Sequence, residues 1–176
     1  MYEYQPKETK KREKSIVGIT LLLGSFCFGV SRIAEIVLPF LYQLLAVLFF
    51  STAVAVAVRY LMRSYRYRLE ETDRGVDLTV TEQSGKRIQT VCRISVNEIR
   101  EICVASSMSR GDRKRFIGKR ILYPYVASIR PADLVYLLIE SNGTQYLIKI
   151  CADEGLIDRI NHYKRQYLSD NNLSLS

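Results

Sequence analysis

The sequence has very little of the side-chain chemistry from which metal and cofactor sites are built. Its 176 residues include one histidine, His162, and four cysteines. The cysteines stand at isolated positions without CxxC spacing: Cys27, Cys92, Cys103 and Cys151. Without clustered histidine and cysteine, the sequence predicts neither a metal site nor a bound cofactor. We expect the cysteines to act as small apolar residues in a reducing compartment.

Recognisable catalytic motifs are also lacking. The sequence has no nucleophile elbow, phosphate-binding loop, zinc-protease helix or cysteine–histidine pair. Its carboxylates, such as Glu98, Glu101 and Asp158, stand where strand edges and helix starts normally carry acids. The sequence therefore predicts a protein that is not an enzyme.

Charge is almost absent from residues 15–58, where Arg32 and Glu35 are the only basic or acidic side chains. They separate uncharged runs of 17 and 23 residues. As helices these runs would extend about 25 and 35 Å, against a hydrocarbon core of about 30 Å. Arg32 follows the first run, where a long side chain can snorkel to the headgroups. The predicted transmembrane hairpin covers residues 15–62, with its helices at 15–34 and 36–60.

Apolar runs also occur as buried helices of soluble proteins and as cleaved signal peptides. Two runs in tandem with charged flanks favour membrane spans over buried helices. No small-x-small cleavage pattern follows the first run. The stretch LGSFC has Phe26 where a lipoprotein acylation site needs a small residue before Cys27. We therefore expect the first run to remain in the mature protein as a span.

Basic residues flank the predicted hairpin at its outer ends. They are Lys7, Lys10, Lys11, Arg12 and Lys14 before the first helix, and Arg59, Arg63, Arg66 and Arg68 after the second. The connection at 31–35 carries one basic and one acidic residue. The positive-inside rule then predicts both termini in the cytoplasm, with residues 1–14 as a basic tail. The residues expected at the inner membrane interface are Lys14, Arg59, Tyr60 and Arg63.

Two helices joined by so short a connection must pack against each other, and small residues allow close approach. The candidate packing residues are Gly18, Gly24, Ser25, Gly29, Ala53 and Ala57. They could serve either the hairpin itself or a homo-oligomer, and both alternatives stay open. The uncharged runs contain no ionisable residue of the kind that lines a transport path, and Gln43 is their most polar side chain. The hairpin is therefore predicted to be an anchor.

From about residue 64 the pattern changes to period-two alternation. Tyr65, Tyr67 and Leu69 fall on one face of an extended chain, and Arg66 and Arg68 fall on the other. This first strand is predicted to bury its tyrosines. Further predicted strands lie at 76–82, 88–96, 99–105, 121–128, 133–140 and 144–151.

Turn residues separate these strands, and a helix follows them. Turn residues occur at Asp73–Arg74–Gly75, Ser84–Gly85 and Ser141–Asn142–Gly143, and the Asn-Gly pair of the last is a hairpin signal. Asp153 is a plausible helix cap before an amphipathic segment. About seven antiparallel strands of this spacing predict a sandwich or open barrel with a C-terminal helix. Residues 169–176 are expected to form a flexible tail.

Five segments of the chain resemble a known fold. They are YRYRLEE, VDLTV, CRISVNEIREI, GKRILYPYVASIRP and DLVYLLIESNGTQYLIKICADEGLIDRI. Together, over residues 64–168, they resemble the pleckstrin-homology (PH) fold. The chain looks like bacterial PH-like domains tethered to a two-helix membrane hairpin. The resemblance implies a membrane-associated binding or regulatory module without established catalysis. It brings no functional residues that could be carried over position by position.

The stretch SSMSRGDRKRFIGKR, residues 106–120, is rich in basic side chains and is predicted to form a loop. The basic residues are Arg110, Arg113, Lys114, Arg115, Lys119 and Arg120. Beside an anionic leaflet each would contribute about 1 kcal/mol within a Debye length of about 8–10 Å. Phe116 and Ile117 could add shallow insertion. A lipid-contacting loop and an ordinary solvated loop are both consistent with this pattern.

Basic residues and twelve tyrosines could also suggest a nucleic-acid groove. However, residues 59–176 hold 20 basic against 14 acidic side chains, and several tyrosines are predicted to point inward. We therefore expect a membrane-anchored, non-catalytic adaptor or regulator whose cytoplasmic domain binds an unidentified protein partner, the anionic inner leaflet, or both. The alternative is a structural subunit of a membrane transport or cell-envelope complex, assembled through the hairpin.

Overall fold

A computed structural model describes residues 2–6, 10–33, 39–73, 75–118, 120–131, 133–141 and 143–173. The predictions made for Lys7, Arg74, Lys119 and Asn142, for residues 34–38 and for residues 174–176 lie outside this part of the chain. The molecule divides into two compact units. The helical unit comprises Glu8–Ser64 and Ala127–Ile129. The β unit comprises Met1–Lys7, Tyr65–Val126 and Arg130–Ser176.

The helical unit consists of α1 (Lys11–Ile33) and α2 (Pro39–Val56), and α2 continues into a π-helical segment, Ala57–Leu61. These helices confirm the two predicted helical segments. The stretches Lys11–Arg32 and Pro39–Leu61 are long and apolar enough to cross a membrane by length and composition. Large apolar side chains such as Leu22 and Phe40 are exposed along them, which fits surfaces that face hydrocarbon.

The first sheet contains β1 (Tyr2–Tyr4), β2 (Arg63–Thr72), β3 (Gly75–Ser84) and β4 (Arg87–Ser95), in the order β1-β2-β3-β4. The predicted alternation along β2 is confirmed, because Tyr65, Tyr67 and Leu69 are buried. Gly85, with φ +59°, opens the turn between β3 and β4. An L side chain rarely adopts this conformation, so glycine suits the turn.

The second sheet contains β5 (Ile99–Val104), β6 (Ile121–Pro124), β7 (Leu134–Ser141) and β8 (Thr144–Cys151), in the order β5-β7-β8-β6. The predicted β7–β8 hairpin is confirmed, with Ser141 opposite Thr144. The prediction that all pairs are antiparallel is wrong for β6, which runs parallel to β8. The chain from β6 to β8 runs through residues 125–143 and includes β7, and paired parallel strands require a long connection of this kind.

Each of the seven predicted strands is present, and β1 is an eighth that was not predicted. Helix α4 (Glu154–Leu173) follows β8. Its predicted cap is confirmed, because the Leu156 backbone N–H donates to Asp153 Oδ1 over 2.9 Å. Leu156 and Ile160 are buried and anchor this helix in the core of the β unit. The strands form two separate sheets accompanied by the C-terminal helix.

The prediction of a loop over residues 106–120 is wrong for Arg110–Ile117, which form helix α3. Ser109 caps this helix, because its hydroxyl oxygen accepts from the Asp112 backbone N–H over 3.2 Å. The same hydroxyl donates to Asp112 Oδ2 over 2.6 Å. Gly118, with φ +50°, ends the helix and donates its N–H to the Lys114 carbonyl. A capped start and a glycine stop therefore offset the loop-like composition.

Candidate functional site

Along the chain, the two long helices lie between β1 and β2, two strands that are neighbours in one sheet. Strand β1 precedes α1, β2 follows the π-helical segment, and the two strands pair antiparallel. In this pairing Tyr2 lies opposite Leu69, Glu3 opposite Arg68 and Tyr4 opposite Tyr67. Because residues 2–4 and 67–69 share backbone hydrogen bonds, they must lie on the same side of any membrane that the helices cross.

Side chains add to the backbone pairing of β1. The Glu3 carboxylate lies 3.1 Å from Arg68 Nη2 and 3.5 Å from Arg66 Nη1. The Arg159 guanidinium of α4 stands over the Tyr2 ring, 4.3 Å from its centroid. The Tyr4 ring stacks on Tyr67 with centroids 6.3 Å apart. Every residue of β1 therefore has a partner on β2 or α4.

Burial and hydrogen bonding shift pKa values in this region. Desolvation is the largest cause that raises the pKa of Tyr4, to about 12. Hydrogen bonds from Arg68 to Glu3 and Glu70 raise the pKa of the guanidinium further. At neutral pH Tyr4 is therefore neutral and the Arg68 guanidinium is charged.

Tyr67 joins the two sheets of the β unit. Its side chain is fully buried. Its hydroxyl donates to the Tyr125 carbonyl over 2.6 Å and accepts from the Cys151 backbone N–H over 3.2 Å. Tyr65 packs edge-on against the Tyr125 ring. These tyrosines connect the two sheets of the β unit.

Helix α3 divides the predicted basic residues into two groups. Arg113 Nη2 donates to the Ala105 carbonyl over 2.6 Å. Arg120 donates to Gln145 Oε1 over 3.2 Å and also to the Phe116 carbonyl. These two guanidinium groups therefore stabilise the β unit. The three basic residues that α3 leaves exposed are Arg110, Lys114 and Arg115.

Phe116 and Ile117 pack against a cluster formed by Ala105, Tyr136, Leu138 and Leu147. Their apolar side chains therefore attach α3 to the second sheet. The shallow membrane insertion expected from the sequence does not fit this packing.

Two contacts in the helical unit involve residues predicted at the membrane interface. Lys10 Nζ donates to the Arg63 carbonyl over 2.6 Å and to the Leu61 carbonyl over 3.4 Å. This contact joins the start of α1 to the end of the second helical stretch. Lys14 and Arg59 are exposed on the same unit. The Arg59 guanidinium lies 5.7 Å from the centroid of the Tyr60 ring, which is also assigned to the interface.

Glu13 is a buried carboxylate that sequence reasoning missed. Glu13 has only 1% of its surface exposed, although its neighbours Lys11, Arg12 and Lys14 are exposed. Glu13 Oε1 accepts from Ser128 Oγ and from the Ile129 backbone N–H, both over 2.9 Å. These hydrogen bonds hold Ala127–Ile129 in place. This segment belongs to the helical unit, although it lies in the connection between β6 and β7. The available signal was a single acid within the basic run KKREK.

The predicted small residues also separate into two groups. Gly24 is buried, and a Cβ added there would lie 3.0 Å from the Phe50 ring. Ala53 is buried as well, while Ala57 is half-buried. Gly24 and Ala53 therefore serve the contact between α1 and α2. A Cβ added at Gly18 or Gly29 would meet nothing within 4 Å, and Ser25 is exposed.

Among the described residues, no group of three or more histidine, cysteine or acidic side chains could hold a metal ion. Burial raises the pKa of the Cys92 thiol, and burial with the Glu101 carboxylate raises that of Cys103 to about 11. Both side chains are therefore thiols at neutral pH rather than reactive thiolates.

Comparison of the chain with protein-family models, curated proteins and solved structures found no match.

Proposed function

We propose that the chain is a membrane-anchored, non-catalytic adaptor or regulator in which the β unit is a PH-like domain of the bacterial type. This domain binds a protein partner at the cytoplasmic face of the membrane. The observation that carries the proposal is the pairing of β1 with β2, the strands that precede and follow the two helices along the chain. Both ends of the helical segment therefore lead into strands that pair with each other.

The connections to the anchor are short. Met62 alone separates the π-helical segment from β2, and six residues separate β1 from α1. An extended residue spans at most about 3.6 Å, so these connections give the domain little freedom to move away from the bilayer. A binding domain tethered in this way meets membrane-bound partners at high effective concentration.

The anionic inner leaflet is a second proposed contact of the same domain. Arg110, Lys114 and Arg115 are exposed on α3, and Asp112 is the acidic residue on that helix. Basic residues held near an anionic surface contribute about 1 kcal/mol each, and salt screens this attraction. The proposed cytoplasmic placement is supported by the positive charge of Lys11, Arg12, Lys14 and Arg59, which are exposed on the helical unit.

The second candidate function is a structural subunit of a membrane transport or cell-envelope complex. It is favoured by the open side of α1 at Gly18, Ser25 and Gly29, where the helical unit leaves the small residues uncovered. Small residues on a lipid-facing surface allow another helix, or a second copy, to approach closely.

Replacing the two helices by an unrelated two-helix anchor distinguishes these functions. The variant keeps β1, β2 and both connections, and partners are captured by crosslinking in native membranes. Retention of the wild-type partners supports the adaptor, because the domain then carries the interaction. Loss of those partners from a correctly folded variant supports the subunit.

A further inference from the structure

The exposed apolar side chains of the β unit concentrate on one edge strand. Within the described part of the chain, β6 is an edge strand of the second sheet and pairs with β8. Ile121, Leu122 and Tyr123 are consecutive on β6 and are 55%, 36% and 40% exposed. Such an edge presents unpaired backbone groups together with apolar side chains, the combination that accepts an added strand.

A groove lies beside this edge. It has a volume of about 340 Å³ and runs between β4 and the second sheet, and we call it the β6 groove. Its lining includes the aromatic residues Tyr123, Tyr125 and Tyr146, together with Ile139 and Ile148. The Tyr123 ring lies 6.5 Å from Tyr125 and 6.3 Å from Tyr146, centroid to centroid. The groove therefore offers an aromatic wall to an apolar side chain.

Two basic residues lie beside β6, and Glu98, which accepts from the Ser141 hydroxyl, is the acidic residue of the groove lining. Arg120 immediately precedes the strand, and Lys149 lies opposite Pro124 on β8. In the described part of the chain neither side chain forms an ion pair with a carboxylate. Burial, and next the positive charge of Arg113, lower the pKa of Lys149. An acidic group near these cations would therefore be stabilised.

We propose that β6 and its groove bind an extended segment of a partner protein, with alternating apolar side chains and an acidic flank. The segment adds as a strand to the free edge of β6, and its apolar side chains occupy the groove. Its acidic flank faces Arg120 and Lys149. This inference rests on the proposed adaptor function and identifies the surface that would serve it.

Charge argues against a second copy of this chain as the occupant. Pairing β6 with β6 of another copy would bring two sets of Arg120 and Lys149 to one edge. Like charges in such proximity oppose association. Pro124, which lacks a backbone N–H, also limits the edge to a short pairing, as suits a peptide segment rather than a large sheet–sheet interface.

The test is selection of random ten-residue peptides, displayed on phage, on the full-length protein in lipid nanodiscs. Empty nanodiscs remove lipid binders. Affinities of the enriched peptides are measured for the wild type, for Ile121→Glu and for Ile88→Glu. Ile88 is 60% exposed on the other edge strand, β4, so its variant is a matched control. The enriched peptides are also synthesised with lysine in place of each acidic residue.

We expect enriched peptides to combine alternating apolar residues with acidic ones. Ile121→Glu should weaken their binding about tenfold or more, whereas Ile88→Glu should leave it within about twofold. The lysine versions should also bind about tenfold more weakly. Selection of no peptide, or of peptides that bind Ile121→Glu as well as the wild type, would overturn the proposal. So would a disulfide-linked dimer formed efficiently by Leu122→Cys, because a second copy would then occupy the edge.

Two outcomes distinguish failure of the proposed β6 binding surface from failure of the adaptor function. If partners captured with the replaced anchor persist in Ile121→Glu, the adaptor function stands and the β6 assignment is lost. If no partner is captured with the replaced anchor, the adaptor function itself is lost.

Discussion

Tyr67 shows how one hydroxyl connects the two sheets of the β unit. It is fully buried and makes one hydrogen bond to the Tyr125 carbonyl and one from the Cys151 N–H. In Tyr67→Phe both backbone groups lose this partner inside the core. We expect unfolding to become easier by about 1–3 kcal/mol, because unsatisfied buried polar groups are destabilising. Denaturant titration of the full chain in micelles, followed by far-UV circular dichroism, measures the change.

Tyr123→Phe is the control for this substitution at the residue scale. Tyr123 is 40% exposed on the edge strand β6, so loss of its hydroxyl should change stability by less than about 0.5 kcal/mol. Equal effects of the two substitutions would show that the Tyr67 hydroxyl has no special role in joining the sheets.

At the scale of single elements, β1 depends on a neutral Tyr4. Its folded-state pKa is about 12, raised from 10.0. Its contribution to the attachment of β1 is therefore fully present below pH 10 and is lost as pH rises through 12. The protection of the amides of residues 2–5, taken as exchange rates corrected for base-catalysed intrinsic exchange, should fall across this window. In Tyr4→Phe, which has no phenolic proton to lose, the fall in protection should be smaller.

Helix α3 provides a second prediction at this scale. In nanodiscs of anionic lipid, residues 106–120 should exchange amide hydrogens more slowly than in zwitterionic nanodiscs. The difference should vanish near 0.5 M salt, where the Debye length is only about 4 Å. Lys114→Gln with Arg115→Gln should remove most of this protection. Lys86→Gln with Arg87→Gln, an equally charged exposed pair on the β3–β4 turn, should not. Protection that is insensitive to lipid charge would refute lipid contact by α3.

The elements also show which features a sequence can reveal. Strands β2 to β8 and helix α4 were predictable because their alternation, turns and cap are local signals repeated over many residues. Strand β1 was not, since three residues are too few to display a period and its partner lies 65 positions away, as Glu3 and Arg68 show. Helix α3 was obscured by glycines and charges. The burial of Glu13 depends on Ser128 and Ile129, which are remote in sequence.

For the whole molecule, the pairing of β1 with β2 constrains membrane topology without reference to charge. Strands that share hydrogen bonds lie on one side, so the number of spans between them must be even. Reporters fused before Met1 and after Ser176 should therefore report the same compartment, and the basic flanks predict the cytoplasm. A reporter pair on opposite sides would contradict the two-span arrangement, and a pair on the outer side would contradict the orientation alone.

The same constraint predicts how the fold responds to extra spans. Glu3→Cys and Arg68→Cys place thiols on directly opposed residues, so mild oxidation should crosslink them within one chain. One unrelated transmembrane segment inserted between α1 and α2 would put β1 and β2 on opposite sides of the membrane. The crosslink should then disappear. Two inserted segments restore an even number of membrane spans and should therefore restore the crosslink. This control distinguishes an effect of topology from a general disturbance of the fold by the insertion. Efficient crosslinking with a single inserted segment would mean that the helices between the strands do not cross the membrane.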